Sequence, residues 1–135
     1  MAGYSGTPLA KKLGFREGSR VRTTRVPADY DELVTPRPED VLISPSIRTR
    51  IDIWHCFSKS RTQLGRELPR MLESIKQDGM IWISWPKKAS KVATDVTEDV
   101  IRELALPLGL VDVKVCAVDD TWSGLKLVIR KELRG

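Results

Sequence analysis

An α/β fold, with a mostly parallel sheet ending in an antiparallel hairpin, is what this sequence predicts, and three features predict it. Two near-continuous apolar runs, RIDIWHCF (50–57) and MIWISW (80–85), read as strands covered on both faces, the usual condition of a parallel sheet. Helical periodicity follows each of them, so strands and helices alternate. The C-terminal residues instead alternate apolar and polar in two runs joined by a short link, which is the pattern of a hairpin. Parallel strands need right-handed crossovers, so helices are expected on both faces and the fold is expected to have three layers.

The elements follow in chain order. Residues 1–18 read as an arm with a short helix: Thr7 suits the cap, Pro8 the first helical position and Gly14 the stop. SRVRTTRV (19–26) is a strand, polar for one in a central position, and Pro27 ends it. ADYDELV gives a helical turn, TPRPED a loop, and VLIS (41–44) a short buried strand. After the strand at 50–57, Ser60 caps a helix whose Leu64, Leu68, Met71, Leu72 and Ile75 share a face. Pro69 should kink or break that helix, and Gly79 should close it before the strand at 80–85. DVTE (95–98) is a capping box with Asp95 in the cap position. It opens a helix bearing Val96, Val100, Ile101 and Leu104, and Gly109 ends that helix. In the final hairpin Val111, Val113, Val115 and Ala117 fall on one face, opposite Leu125, Leu127 and Ile129 of the partner strand. Asp112, Lys114, Lys126 and Arg130 are left to pair across a solvated face.

Composition limits the classes open to the chain. Its 135 residues suit one domain with its own core, and 41% hydrophobic with 30% charged residues are ordinary for a globular protein. No apolar run approaches the roughly 20 residues that span a bilayer, and the N-terminus lacks the apolar segment of a secretory signal. A cytoplasmic location without membrane association is therefore expected. Cys56 and Cys116 fall in apolar runs without metal-ligand spacing and are expected to be reduced core residues. The net charge of +5 belongs to residues 1–70, which carry 13 basic and 8 acidic side chains, whereas residues 71–135 balance. That excess attracts anions in general. Nucleic-acid binding would further need interleaved aromatics or a known module, and that half has neither.

The stretch IDIWHCF…LPRMLESIKQDGMIWISW and the terminal hairpin resemble a reduced S-adenosylmethionine-dependent methyltransferase of Rossmann-like fold. On that resemblance they match its fourth strand, the helix after it, the fifth strand and the antiparallel last pair. Two departures bear on function. The turn after the first strand, RVPADYDE, has no glycine to let the backbone approach a cofactor, and Asp40 precedes the second short strand rather than ending it as a ribose-binding acid would. S-adenosylmethionine is therefore not expected as a cofactor. A closer resemblance, carried by MAGYSGTPLAKKLG, WPKKASKVATDVTEDVIRE and GLVDVKVCAVDDTWSGLKLVIR, is to a small bacterial family known only as a domain of unknown function.

In open α/β sheets, ligands sit beyond the carboxyl ends of the strands. Four segments satisfy that placement: Arg25–Asp29, Phe57–Ser60, Ser84–Ser90 and the helix start at Thr94–Glu98. Lys87 and Lys88 supply charge, Ser90 and Thr94 hydroxyls, Trp85 an aromatic border and Arg25 a facing cation. Asp95, Glu98 and Asp99 already complement the helix dipole, which argues against an anion lying directly on that helix end. Set against this site is a plain surface turn with solvated lysines. His55, the only histidine, lies mid-strand, where a satisfied core histidine is expected, and strand order by the methyltransferase analogy separates it from Cys116. Trp82 should be core, and Trp122, at the hairpin tip, should pack back onto the domain. No metal cluster, paired catalytic carboxylates or phosphate-cradling loop is present in the sequence. The expected function is thus a non-enzymatic domain binding a small anion or a protein partner. The alternatives are a diverged methyltransferase-like enzyme and a weak nucleic-acid binder using the basic half.

Overall fold

A computed structural model describes residues 6–135; the first five residues of the expected N-terminal arm lie outside the described part. Its centre is a six-stranded sheet in the order β2-β1-β3-β4-β6-β5. The strands are β1 (Arg20–Thr24), β2 (Leu42–Ser44), β3 (Ile51–Phe57), β4 (Ile75–Pro86), β5 (Leu110–Ala117) and β6 (Trp122–Ile129). β2, β1, β3 and β4 are parallel, while β6 runs antiparallel to both β4 and β5. The expected α/β class, the six strands and the closing hairpin are all present.

Two cores lie on the two faces of the sheet. One packs α3 (Arg61–Ser74) and α4 (Glu98–Ala105) against the sheet through Leu64, Leu68, Met71, Val96, Ile101 and Ala105. The other uses two single-turn helices, α1 (Leu9–Lys12) and α2 (Tyr30–Leu33), with Leu13, Phe15, Tyr30 and Val34 over Val21, Ile53, Phe57 and Trp82. The layer is thin, so backbone groups help to fasten it. Trp82 Nε1–H donates to the carbonyl of Leu13 at 2.9 Å, which ties α1 to the middle of the sheet.

Several elements differ from expectation for identifiable reasons. Strand β2 is the outermost strand, with Leu42 47% exposed, because no other strand of the described residues pairs beyond it. Strand β1 is consequently next to the edge, which explains why a polar sequence serves there; only Val21 and Thr23 are buried. Helix α1 begins at Leu9, with Pro8 rather than Thr7 in the cap position. Helix α3 is capped by Ser60, whose hydroxyl accepts from Gln63 N–H, and it runs unbroken through Pro69 to Ser74. It passes directly into β4, so Gly79 closes no helix. Between Ile75 and Met80 the ladder with β3 shifts register, and the extra residues arch away from it. A Cβ on Gly79 would stand 2.9 Å from the carbonyl oxygen of Lys76 and 3.1 Å from those of Asp52 and Ile51. Glycine is needed there for backbone approach.

Helix α4 is capped by Thr97, not Asp95: its hydroxyl accepts from Val100 N–H. Asp95 instead reaches across to α3, where a carboxylate oxygen accepts from Arg61 N–H at 2.7 Å. In the hairpin, the register shifts between Asp112 and Lys114, so Val113 is a bulge residue and the expected single valine face is interrupted. Asp112 faces α4 and pairs with Arg102 at 2.9 Å, while Lys114 stands opposite Lys126 instead of an acid. Val113 and Val115 remain 52% and 47% exposed.

Candidate functional site

The carboxyl ends of β1, β3 and β4 gather three of the expected segments at one end of the sheet. Arg25 follows β1 directly, at φ 54° in the left-handed region, at the position where a cofactor-binding turn would place glycine. Its side chain crosses to the end of β3, where Nε donates to the carbonyl of Phe57 at 3.0 Å. The two terminal nitrogens meet the carboxylate of Glu67, from α3, at 2.8 and 2.5 Å. This two-point pairing holds the guanidinium more firmly charged than usual, against the opposing effect of burial. Cys56 lies beneath it, 3.5 Å from a guanidinium nitrogen, and burial pushes its thiol up to about 12. The thiol is therefore protonated and inert. Arg25 and Glu67 close the gap between β1 and β3.

The other expected residues are tied into loops. Lys87 Nζ donates to the carbonyl of Asp119 at 2.6 Å, and its backbone N–H to Thr121. Ser90 Oγ donates to the carbonyl of Lys87, closing a short 3-10 turn, and Lys88 in that turn is exposed. Thr94 Oγ1 donates to Lys59 and accepts from Val96 N–H, fastening the start of α4 to the segment before α3. Trp85 is half-buried against the α3–α4 core, on the face opposite Trp82. Arg25 thus turns toward α3 while Lys87 turns toward the hairpin tip. Trp122 packs edge-on to Phe57 at 5.0 Å between centroids, as expected for a tryptophan folded back on the domain.

Beneath this end, His55 is fully buried between two hydroxyls, Tyr30 Oη at 2.8 Å from Nδ1 and Ser84 Oγ at 2.7 Å from Nε2. Whichever nitrogen carries the proton, one hydroxyl donates to the ring and the other accepts from it. Burial lowers the imidazole to about 3, so it is neutral, and burial likewise raises the Tyr30 phenol. It is the satisfied core histidine that its mid-strand position suggests. Strands β4 and β6 separate its strand from the one that carries Cys116.

Beside the closed gap an open cleft of about 590 Å³ lies over the ends of β1 and β2. Its walls include Val26, Pro27 and Tyr30 from the turn after β1, and Ile43 and Ser44 from the end of β2. Ser44, not an acid, ends β2, and its hydroxyl bonds that of Ser46 at 3.0 Å. The cleft's cation is Arg37, held at 2.8 Å by Asp31, whose side chain is 80% exposed. Sequence reasoning missed Arg37 because TPRPED carries only the composition of a loop. It missed Glu67 because nothing in a helix of polar and apolar residues signals a partner 42 positions away. Part of the basic charge of the N-terminal half is bonded within the molecule. Arg20 and Arg22 donate to the carbonyls of Thr49 and Ile47, Arg22 also lies 4.2 Å over the Trp54 ring, and Arg61 pairs with Glu103. Among the described residues no group of His, Cys, Asp and Glu is placed to hold a metal, and no helix is long and apolar enough to cross a membrane.

Comparison with known proteins bears on both the family and the fold. The family described as "Protein of unknown function (DUF3052)" matches residues 10–131. No curated protein matches the chain. Among solved structures, a SAM-dependent methyltransferase from Aquifex aeolicus aligns with a TM-score of 0.61 at 12% identity, covering 90% of this chain and 88% of that one. The magnesium protoporphyrin IX methyltransferase of Synechocystis PCC 6803, solved with bound SAH, aligns at 0.56 and 9% identity over 90% and 78%. The ribosomal protein L11 methylase of Lactobacillus delbrueckii subsp. bulgaricus aligns at 0.54 and 8% identity over 89% and 74%. At such identities the likeness is one of fold: this is a methyltransferase-like, Rossmann-like sheet.

Proposed function

The chain belongs to the DUF3052 family of proteins of unknown function, and on that footing we propose that it is a non-enzymatic binding domain built on a methyltransferase fold. Its ligand is a small anion, received in the cleft over the ends of β1 and β2 with Arg37 as the cation. One observation carries this reading. The gap between β1 and β3 is filled by the Arg25–Glu67 pair, whereas the cleft beside it is open. In a sheet of this order the strand direction of the connections reverses between β1 and β3, which is where ligands of such folds gather. An arginine bonded across that point stands where the glycine turn of a cofactor site would be. Asp31 holds Arg37 from the solvent side, so a phosphate or carboxylate can take over that contact at little cost.

Thermal melting in the presence of inorganic phosphate and of AMP tests the proposal. The expected result is a concentration-dependent rise in melting temperature in the wild type that Arg37→Ala abolishes. A flat response to both anions, or a rise that Arg37→Ala leaves intact, refutes the assignment of this cleft.

A further inference from the structure

The sheet face that carries α1 ends, toward β5, in a second open cleft of about 510 Å³. Lys11 and Lys12 of α1 form one wall; Lys114, Val115, Cys116 and Ala117 of β5 form the other. Lys114 stands directly opposite Lys126 in the antiparallel ladder, an arrangement that costs a sheet stability because like charges face each other. The bulge at Val113 creates this opposition. Without the extra residue, strict alternation would set Val113 beside Lys126 and turn Lys114 to the other face. Lys126 is half-buried, and its ammonium titrates below the usual lysine range, first because of burial and then because of Lys114 and Arg16. The same field reaches Cys116, where Lys12 and Lys114 oppose the upward push of burial on the thiol.

Elsewhere in the molecule several cations are paired with acids. Arg25 has Glu67, Lys76 has Asp52, and Arg102 has Glu98, Asp99 and Asp112. Among the described residues no carboxylate comes within ion-pair distance of Lys11, Arg16, Lys114 or Lys126. A cluster of cations gathered at a cost to the fold, beside an open cleft, attracts anions from outside.

We propose that the α1–β5 cleft binds a compact polyphosphate group, free or carried on a nucleotide, whose oxygens bridge Lys11 and Lys114, with Lys126 behind Lys114 in the ladder adding to the positive field. Several cations converging on one cleft match several negative charges better than one carboxylate. Among the described residues no aromatic side chain lines the cleft to stack nucleic-acid bases, which favours a small ligand over an extended strand. This site is separate from the Arg37 cleft, on a different part of the sheet.

Calorimetric titration of the full chain with sodium tripolyphosphate and with ATP, at low salt, tests it. Saturable one-to-one binding by both ligands is expected in the wild type and in the surface variant Arg66→Gln. Lys114→Gln should weaken binding about tenfold, through loss of one charge-assisted contact, yet melt at a higher temperature than the wild type without ligand because the repulsion is relieved. Lys11→Gln, on the exposed arm, gives the same weakening if Lys114→Gln does not fold. Absence of saturable binding, or equal weakening by Arg66→Gln, overturns the proposal. So does affinity for single-stranded oligonucleotides that grows with length while tripolyphosphate fails to bind.

Discussion

Arg25 sits in a backbone region that costs an ordinary residue about 1 kcal/mol, and its bonds to Phe57 and Glu67 offset that cost. A side chain held by three hydrogen bonds at a strained turn is part of the framework, which is why it is not free to face a ligand beside Lys87. His55 is likewise framework. Its unfolded-state imidazole titrates near 6.5, and the folded one at about 3. Between those values the unfolded chain takes up a proton that the folded chain cannot. The stability present above pH 6.5 is therefore lost as pH falls toward 3, by about 1.4 kcal/mol per unit. Urea midpoints measured between pH 6.5 and 5, above the range where ordinary carboxylates titrate, should fall in the wild type and stay nearly level in His55→Gln. Equal slopes in the two proteins would contradict the buried neutral histidine.

Among the elements, the junction of α3 and β4 shows where pattern and packing part company. A glycine after a helical pattern normally stops the helix, but Ser74 already ends α3 and the chain enters β4 without a loop. Gly79 and Gly65 therefore respond oppositely to the same change. Gly79→Ala drives a methyl group into three carbonyl oxygens and should destabilise by about 1–3 kcal/mol. Gly65→Ala, inside α3 with only a Leu104 methyl 3.6 Å away, should stabilise by up to about 1 kcal/mol. Denaturant midpoints of the two variants give the signs; the same sign for both contradicts the assignment. The long apolar strands β3 and β4, the Ser60 cap and the hairpin were legible because their signals are local and periodic. The bulge at Val113, the use of Thr97 over Asp95 and the exposure of Leu42 were not. Each depends on what lies across the sheet or on another helix.

Across the whole molecule the sheet order carries the likeness to methyltransferases, while the crevice that order creates is occupied by the protein's own side chains. That division explains why the fold was readable and the site less so. Placement at the carboxyl ends of strands follows from alternation of elements, and Lys87, Ser90 and Thr94 lie in loops around that end. What those side chains bond to depends on pairs far apart in sequence, such as Arg25 with Glu67 and Lys87 with Asp119. The missing glycine turn was visible directly, and its structural counterpart is an arginine bonded across the gap. Isothermal titration of the full chain with S-adenosylhomocysteine at millimolar concentration bears most directly on the claim that this fold serves binding without methyl transfer. No saturable heat is predicted. Saturable one-to-one binding by the wild-type chain would contradict it.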